Sequence, residues 1–264
     1  MKGNIATLIM SAALFLLCIQ LPIIFVEQIT GLWSTMDAAM NEYFEMYSYL
    51  NISALNELAG TYTGRMNFSF ATFLFVLFVP GPLTLGLSNI WLYVIRGKES
   101  FADMIFSGFG SFTRVVAMDT FRRILIVLWS ILLIVPGVIA YYRYNLAFFL
   151  ISDNPEMRSF EAVSLSKYYM QQNKMNRFYL DLTFAGWFAL SFIAYYFINN
   201  GIMVVIFLTG NDVTVFTELL IMALVGSVAF APVMAYRGVA AAEYYHRVIC
   251  RDPRSYSAPQ LPNS

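Results

Sequence analysis

Charged and amide side chains inside otherwise apolar stretches are the residues of this chain best suited to chemistry. Arg143 stands among tyrosines and two residues before Asn145, while Asp181 and Asn89 lie within two other apolar runs. A charge at bilayer depth costs about 3 kcal/mol even on lenient scales, so it usually faces protein or water and finds a partner. We therefore predict a polar intramembrane site formed by Arg143, Asp181, Asn145 and Asn89.

Two interpretations of this polar site stay open. In one, Arg143 binds a ligand or an ion. In the other it is structural, either pairing with Asp181 or extending its guanidinium to the membrane surface. Asp181 has a second candidate partner in Arg177, four residues earlier on the same helix face. Asn89 either completes a polar interior or only hydrogen-bonds a neighbouring helix.

Motifs of catalytic and metal chemistry are missing from the sequence. The single histidine, His246, has no cysteine or carboxylate at metal-ligand spacing. There is no GxSxG nucleophile motif and no glycine-rich loop ending in GK[ST]. The neighbouring carboxylates Asp153 and Glu156 are typical of the start of a helix rather than of an acid/base pair. We therefore expect no metal, no cofactor and no enzymatic activity.

The elements that must position the polar residues are membrane helices. Hydrophobic residues make up 59% of the chain and charged residues 12%, whereas a soluble domain carries about 25% charged residues. A helix needs about 20 mostly apolar residues to cross a membrane. Five runs meet this need, at residues 5–26, 68–95, 124–151, 178–208 and 216–236. The fold class predicted is an all-α integral membrane protein, a polytopic helical bundle with about five or six membrane segments in one domain, residues 1–250.

The distribution of charge predicts the orientation of the bundle. Segment 27–67 carries five carboxylates and one arginine, whereas basic clusters follow the second, third and last apolar runs. Basic segments stay in the cytoplasm under the positive-inside rule. We therefore expect a multi-pass membrane protein with both termini cytoplasmic and segment 27–67 outside. The net charge of zero does not favour nucleic acid as a partner.

The third apolar run needs a reversal to agree with this orientation. A single crossing by residues 124–151 would place the second and third basic clusters on opposite sides of the membrane. Pro136 and Gly137 lie near the middle of the run, and proline removes a helix hydrogen bond while glycine permits a turn. We predict a hairpin broken at Pro136 and Gly137 that returns to the cytoplasm. A kinked single crossing is the alternative.

Two stretches between the membrane runs combine basic residues with an apolar face. The spacing of apolar residues in 99–119 and in 153–177 predicts amphipathic helices at the membrane interface. Their apolar faces have a second interpretation, packing against the membrane helices of the same chain. Residues 251–264 contain Pro259 and Pro262 and predict a disordered cytoplasmic tail.

Successive blocks between residues 81 and 245 resemble those of the bacterial family known as domain of unknown function 975. In order along the chain they are GPLTLG at 81–86, FSGF at 106–109, LWSILLIVPGVIAY at 128–141, SDNP at 152–155, EAVSLS at 161–166, MQQNK at 170–174, FYLDLTFAGW at 178–187 and AAEYY at 241–245. The resemblance implies a multi-pass bacterial membrane protein and implies no established activity.

Two classes of function fit these observations. The first is a non-enzymatic accessory, assembly or envelope-associated module, whose partners are membrane lipids and either another protein or a second copy of the chain. The alternative is a transporter or channel for a small solute with a polar site near Arg143. In that case helices broken at Pro136 and Gly137 and at residues 199–201 would meet near the middle of the membrane.

Overall fold

The computed structural model describes residues 5–30, 67–209 and 215–250, and within these ranges the chain is helical without a strand. The predicted all-α polytopic fold class is confirmed. The helices are α1 (Ile5–Thr30), α2 (Asn67–Phe78), α3 (Pro80–Ile95), α4 (Phe112–Leu132), α5 (Ile134–Arg143), α6 (Ala147–Asp153), α7 (Ser159–Tyr169), α8 (Lys174–Leu208) and α9 (Val215–Cys250), with a 3₁₀ segment, Ala102–Ser111, before α4. Most of the predicted outer segment 27–67 and the whole predicted tail 251–264 lie outside the described residues.

Five helical stretches in the described part of the chain are long and apolar enough to cross a membrane. They are Ile5–Phe25, Phe73–Ile95, Ile134–Asp153, Lys174–Ile206 and Phe216–Ile249. The predicted run 124–151 is divided among α4, α5 and α6. The last helix continues beyond residue 236 to Cys250 and keeps Pro232 inside it, which neighbouring helices make tolerable in a membrane protein.

Helix α3 forms the centre of the core. Side chains on every side of it are buried, because α1, α6, α9 and the 3₁₀ segment all pack against it. A helix that is apolar all round is expected to be buried in this way. It begins at Pro80, where proline is favoured because the first amides of a helix have no partner within it.

Two glycines bring the 3₁₀ segment directly against α3. A Cβ atom on Gly86 would overlap the backbone carbonyl of Ile105, and one on Gly108 would overlap the carbonyl of Pro82. Residues 99–119 therefore do not form the one amphipathic helix predicted from their spacing. They fold back along α3 as a 3₁₀ segment and then begin α4, because this backbone contact outweighs local periodicity.

Helices α4 and α5 form a helical hairpin. The chain leaves helical geometry at Leu133 alone, where φ is −164° and ψ is 151°. The break thus lies three residues before the predicted position, and Pro136 and Gly137 belong to α5. Proline is accommodated because it falls in the first turn of the helix. Gly137 packs so closely on Ser130 that any side chain there would overlap it.

Helix α7 lies within the predicted interfacial stretch 153–177. It packs on α4 and α6 through Ala162, Val163 and Ser166, which are buried. Phe160 lies on its exposed side and contacts Phe121 edge to face, with ring centroids 4.7 Å apart. The buried face of α7 therefore rests on the protein's own helices, the second of the two interpretations of this stretch.

Candidate functional site

Asp181 on α8 is the centre of a polar junction between helices. Arg237 on α9 donates to it from Nε at 2.9 Å and from Nη2 at 3.1 Å, one bond to each carboxylate oxygen. Paired bonds of this kind between arginine and a carboxylate are among the strong hydrogen bonds of proteins. Nη2 of Arg177 lies 3.4 Å from Oδ1 of Asp181. The Arg177–Asp181 pair suggested by sequence spacing is present, and Arg237 is the partner with the better geometry.

Arg177 extends this junction to the turn between α5 and α6. Its residue surface is only 2% exposed, and its Nε donates to Oδ1 of Asn145 at 3.1 Å. The guanidinium also lies over the ring of Tyr244, 5.9 Å from the ring centroid. We call Asn145, Arg177, Asp181 and Arg237 the Asp181 junction. It joins α8, α9 and the α5–α6 turn.

The other two residues of the predicted polar site lie elsewhere. Arg143 is half-buried at the end of α5 and forms no ion pair with Asp181. Its carbonyl instead accepts a hydrogen bond from the hydroxyl of Ser166 at 3.1 Å. Asn89 donates from Nδ2 to Oγ of Ser107 at 2.8 Å and ties α3 to the 3₁₀ segment. The predicted site of four residues is thus reduced to Asp181 and Asn145.

A second junction surrounds Asp153. Nη2 of Arg96, just beyond α3, lies 2.7 Å from the carboxylate, and the hydroxyl of Tyr245 on α9 donates to Oδ2 at 2.9 Å. Tyr245 is buried and stacks on Phe149 with ring centroids 5.2 Å apart. Asp153 is the last residue of α6 and not the start of a helix, so its role is to hold the ends of α3 and α6 against α9.

A third charged group lies on α4. Asp119 has no exposed surface, and Nη2 of Arg122 and Nη2 of Arg123 each lie 2.6 Å from one of its oxygens. Arg123 also donates from Nη1 to the carbonyl of Val76 on α2 at 2.8 Å. Sequence reasoning used the two arginines only as markers of orientation. The signal it overlooked was a carboxylate three and four residues before two arginines on a helix that is otherwise largely apolar.

Two open cavities accompany the helix contacts. One of about 370 Å³ lies beside the Asp181 junction between α8 and α9, and its lining includes Asn173, Tyr244 and Arg247. The other, of about 400 Å³, lies between α1, α8 and α9 and is mostly apolar, with Gln20 and Tyr195 as polar members. In the described part of the chain, no three or more His, Cys, Asp or Glu residues group in a way that could hold a metal ion.

Comparison with known proteins identifies the family of the chain. The family described as "Protein of unknown function (DUF975)" matches residues 11–252. Because the match covers most of the chain, the chain belongs to this family, as its sequence blocks suggested. No curated protein and no solved structure matches the chain significantly.

Proposed function

We propose that this chain, as a member of that family, is a non-enzymatic multi-pass protein of the bacterial plasma membrane that serves as an accessory or assembly module. The observation that carries the proposal is that interior carboxylates are paired with arginines of the same chain. Asp119, Asp153 and Asp181 are each bound by arginine. The contacts of Asp153 with Arg96 and of Asp181 with Arg237 join elements distant in sequence, and Arg123, which pairs with Asp119 on α4, also donates to α2. Ion pairs between separate elements hold helices together, whereas removing one partner would leave an uncompensated buried charge.

The arrangement of basic residues around Asp153 and Asp181 supports the proposed orientation. Arg96 meets Asp153, and Arg177 and Arg237 meet at Asp181, so members of three basic clusters lie in two junctions that each include a residue of α9. Basic clusters are typical of the cytoplasmic side. Residues near the C-terminal end of α1 share a cavity with the N-terminal half of α9, which supports placing both chain termini on the same side.

The exposed apolar surface of α8 supports contact with lipid and with a protein partner. Trp187, Phe192 and Phe197 are all well exposed on this helix. An apolar surface of this extent needs a non-aqueous environment or a partner. An accessory module would present most of such a surface to acyl chains and part of it to the protein that it assists.

Native mass spectrometry of the protein extracted in native lipid discs tests the accessory role. We expect a particle in which the chain is bound in fixed stoichiometry to another protein or to a second copy. Replacing Trp187 by alanine should release that partner, while the matched change of Tyr93 to alanine, an exposed aromatic on α3, should not. Particles with one chain and lipid alone would contradict the proposal.

A transporter is the second candidate, favoured by the cavity of about 370 Å³ beside the Asp181 junction. Tyr244 lines this cavity on one side and contacts Arg177 with its ring, which would suit an anionic solute. However, α8 continues without a break through Asn199 and Asn200, so the second split helix of the transporter hypothesis is absent. Anion flux into proteoliposomes that Arg177→Gln abolishes would favour transport over the accessory role.

A further inference from the structure

The segment between Arg123 and Arg143 has an unusual combination of charge and exposure. Its 19 residues, 124–142, contain no charged side chain, and they form the end of α4, the break at Leu133 and nearly all of α5. We call this segment the apolar hairpin. Its two arms are in contact at Ser130 and Gly137, so the hairpin is a packed unit rather than an open loop.

The apolar hairpin is exposed where a soluble protein would be polar. Ile134 at its tip is 81% exposed, and its large side chains protrude along both arms. The exposed members are Ile124, Val127, Leu128, Trp129, Ile131, Leu132, Leu133, Ile134, Val135, Val138 and Ile139. A contiguous apolar surface of this size marks contact with a membrane or another protein.

The length of the arms indicates how deep such a hairpin reaches. Residues 124–132 and 134–142 give nine residues to each arm, which is about 13 Å of helix at about 1.5 Å per residue. The hydrocarbon layer of a bilayer is about 30 Å thick. An arm of this length spans about one leaflet and ends near the bilayer centre.

The backbone at the tip suits an environment without water. The amide of Leu133 donates to the carbonyl of Trp129 at 3.3 Å, and the carbonyl of Leu133 accepts from the amide of Gly137 at 3.3 Å. Pro136 lies in the first turn of α5 and has no amide hydrogen that would otherwise be unpaired. The hydroxyl of Ser130 donates to the carbonyl of Ile126 at 2.8 Å. These arrangements reduce the number of unpaired backbone and hydroxyl groups, which lipid penalises by several kcal/mol each.

Charge at the base of the hairpin complements an anionic headgroup layer. Arg122 and Arg123 precede the first arm and Arg143 follows the second, while Asp119 neutralises one of the three charges. The base therefore carries two excess positive charges at the level where an inserted hairpin meets lipid phosphates. Basic residues beside a membrane-embedded element attract anionic lipids.

We propose that the apolar hairpin inserts into a single leaflet, with Leu133 near the bilayer centre and the arginines at its base bound to the headgroups of anionic phospholipids. This inference rests on the membrane location in the proposed function but not on the accessory role. The opposite leaflet, beyond the tip, contains only lipid at this position. The hairpin is thus a wedge in one leaflet and a site that selects lipids by headgroup charge.

Depth-dependent fluorescence quenching tests the insertion. In a variant with Cys18→Ser and Cys250→Ser, a fluorophore is attached to cysteine at Leu133 or at Ile124, and the protein is reconstituted into vesicles containing nitroxide lipids. We expect deep nitroxides to quench the Leu133 label most, and shallow ones to quench the Ile124 label most. Strong quenching at Leu133 by shallow nitroxides would indicate a full crossing. No quenching from either depth would indicate that a protein covers the tip. Both results would overturn the proposal.

Lipid selectivity tests the charged base separately. Native mass spectrometry of protein equilibrated with phosphatidylglycerol and phosphatidylcholine should show enrichment of the anionic lipid. Arg123→Gln and Arg143→Gln should each lower this enrichment by about five-fold, as expected for one basic residue at an anionic surface. Lys167→Gln, at an exposed position on α7, is the matched control and should leave it unchanged. Unchanged enrichment in the Arg123 and Arg143 variants would overturn the headgroup site, and melting in detergent shows that each variant is folded.

Carbonate extraction separates failure of this inference from failure of the proposed membrane location. If wild-type protein is extracted from membranes, the membrane location itself fails. If it stays embedded while the Leu133 label reports no deep position, only the single-leaflet insertion fails.

Discussion

The Asp181 junction buries polar groups, whereas the apolar hairpin exposes apolar ones. In the junction, two guanidinium groups and a carboxylate are largely enclosed by α8, α9 and the α5–α6 turn. In the hairpin, aliphatic side chains are exposed and polar atoms bond within the segment. The tip of the hairpin at Leu133 precedes α5, which is ten residues long, and Asn145 of the junction follows it.

This comparison shows that buried side chains in this fold are not always apolar and that exposed side chains are not always polar. In water, apolar surface is driven inward, so an exposed hairpin of this kind would be destabilising. Between helices in lipid, that drive is absent, and packing and polar contacts hold the helices together. Substitutions should therefore affect folding strongly at the junctions and weakly at the hairpin.

Removing the central carboxylate should have the largest effect. Asp181→Ala leaves Arg177 buried without its counter-charge and Arg237 without its paired hydrogen bonds. Breaking a buried ion pair on one side typically costs about 3 kcal/mol or more. Thermal unfolding in detergent measures this loss. Asp103→Ala, at an exposed position on the 3₁₀ segment, is the control and should be close to neutral. Equal melting temperatures for Asp181→Ala and wild type would show that the junction does not hold the helices.

Two double-mutant cycles should distinguish Arg237, the observed partner of Asp181, from Arg143, one of the two partners that the sequence left open. Arg237→Gln combined with Asp181→Asn should show a coupling energy of about 2 kcal/mol, because the two side chains share two hydrogen bonds. Arg143→Gln combined with Asp181→Asn should be additive, since these residues form no ion pair. Unfolding free energies of the single and double variants provide both values. Strong coupling of Arg143 and no coupling of Arg237 would reverse the assignment.

A smaller loss is expected at Ser166, which links α7 to the α5–α6 turn. Its hydroxyl accepts from the amide of Leu146 at 3.1 Å and donates to the carbonyl of Arg143 at 3.1 Å. Ser166→Ala leaves both backbone groups unpaired in a buried place, at a cost of about 1–3 kcal/mol. Ser164→Ala on the exposed side of the same helix is the matched control. A similar melting temperature for the two variants would contradict this role.

The smallest effect on folding is expected at the hairpin tip. Ile134→Ala should change the free energy of unfolding by about 0.5 kcal/mol or less, as for other exposed positions. Leu92→Ala, in the core helix α3, should cost about 2–5 kcal/mol by contrast. Both are measured by thermal unfolding in detergent. A loss at Ile134 as large as that at Leu92 would show that the tip packs against protein rather than lipid.

Sequence reasoning reached the helical membrane fold because that conclusion needs only composition and the length of apolar runs. It also anticipated that the chain reverses near residue 136, but located the break at the proline rather than at Leu133. Proline is excluded from the interior of a helix and tolerated in its first turn. A proline therefore indicates that a helix begins within a few residues of it, but it does not identify the residue at which the chain turns. Likewise, α9 continues through Pro232 because its neighbours compensate for the lost hydrogen bond.

The sequence by itself determined the properties that depend on residues close to one another in the chain. The Arg177–Asp181 pair is one of them, since residues four apart share a helix face. Tertiary structure alone decided that Arg237, 56 residues from Asp181, completes the junction, and that Arg143 does not. Such contacts depend on how α5, α8 and α9 rotate about their axes when they pack. No local pattern encodes that rotation, because it results from the packing of all the neighbouring helices at once.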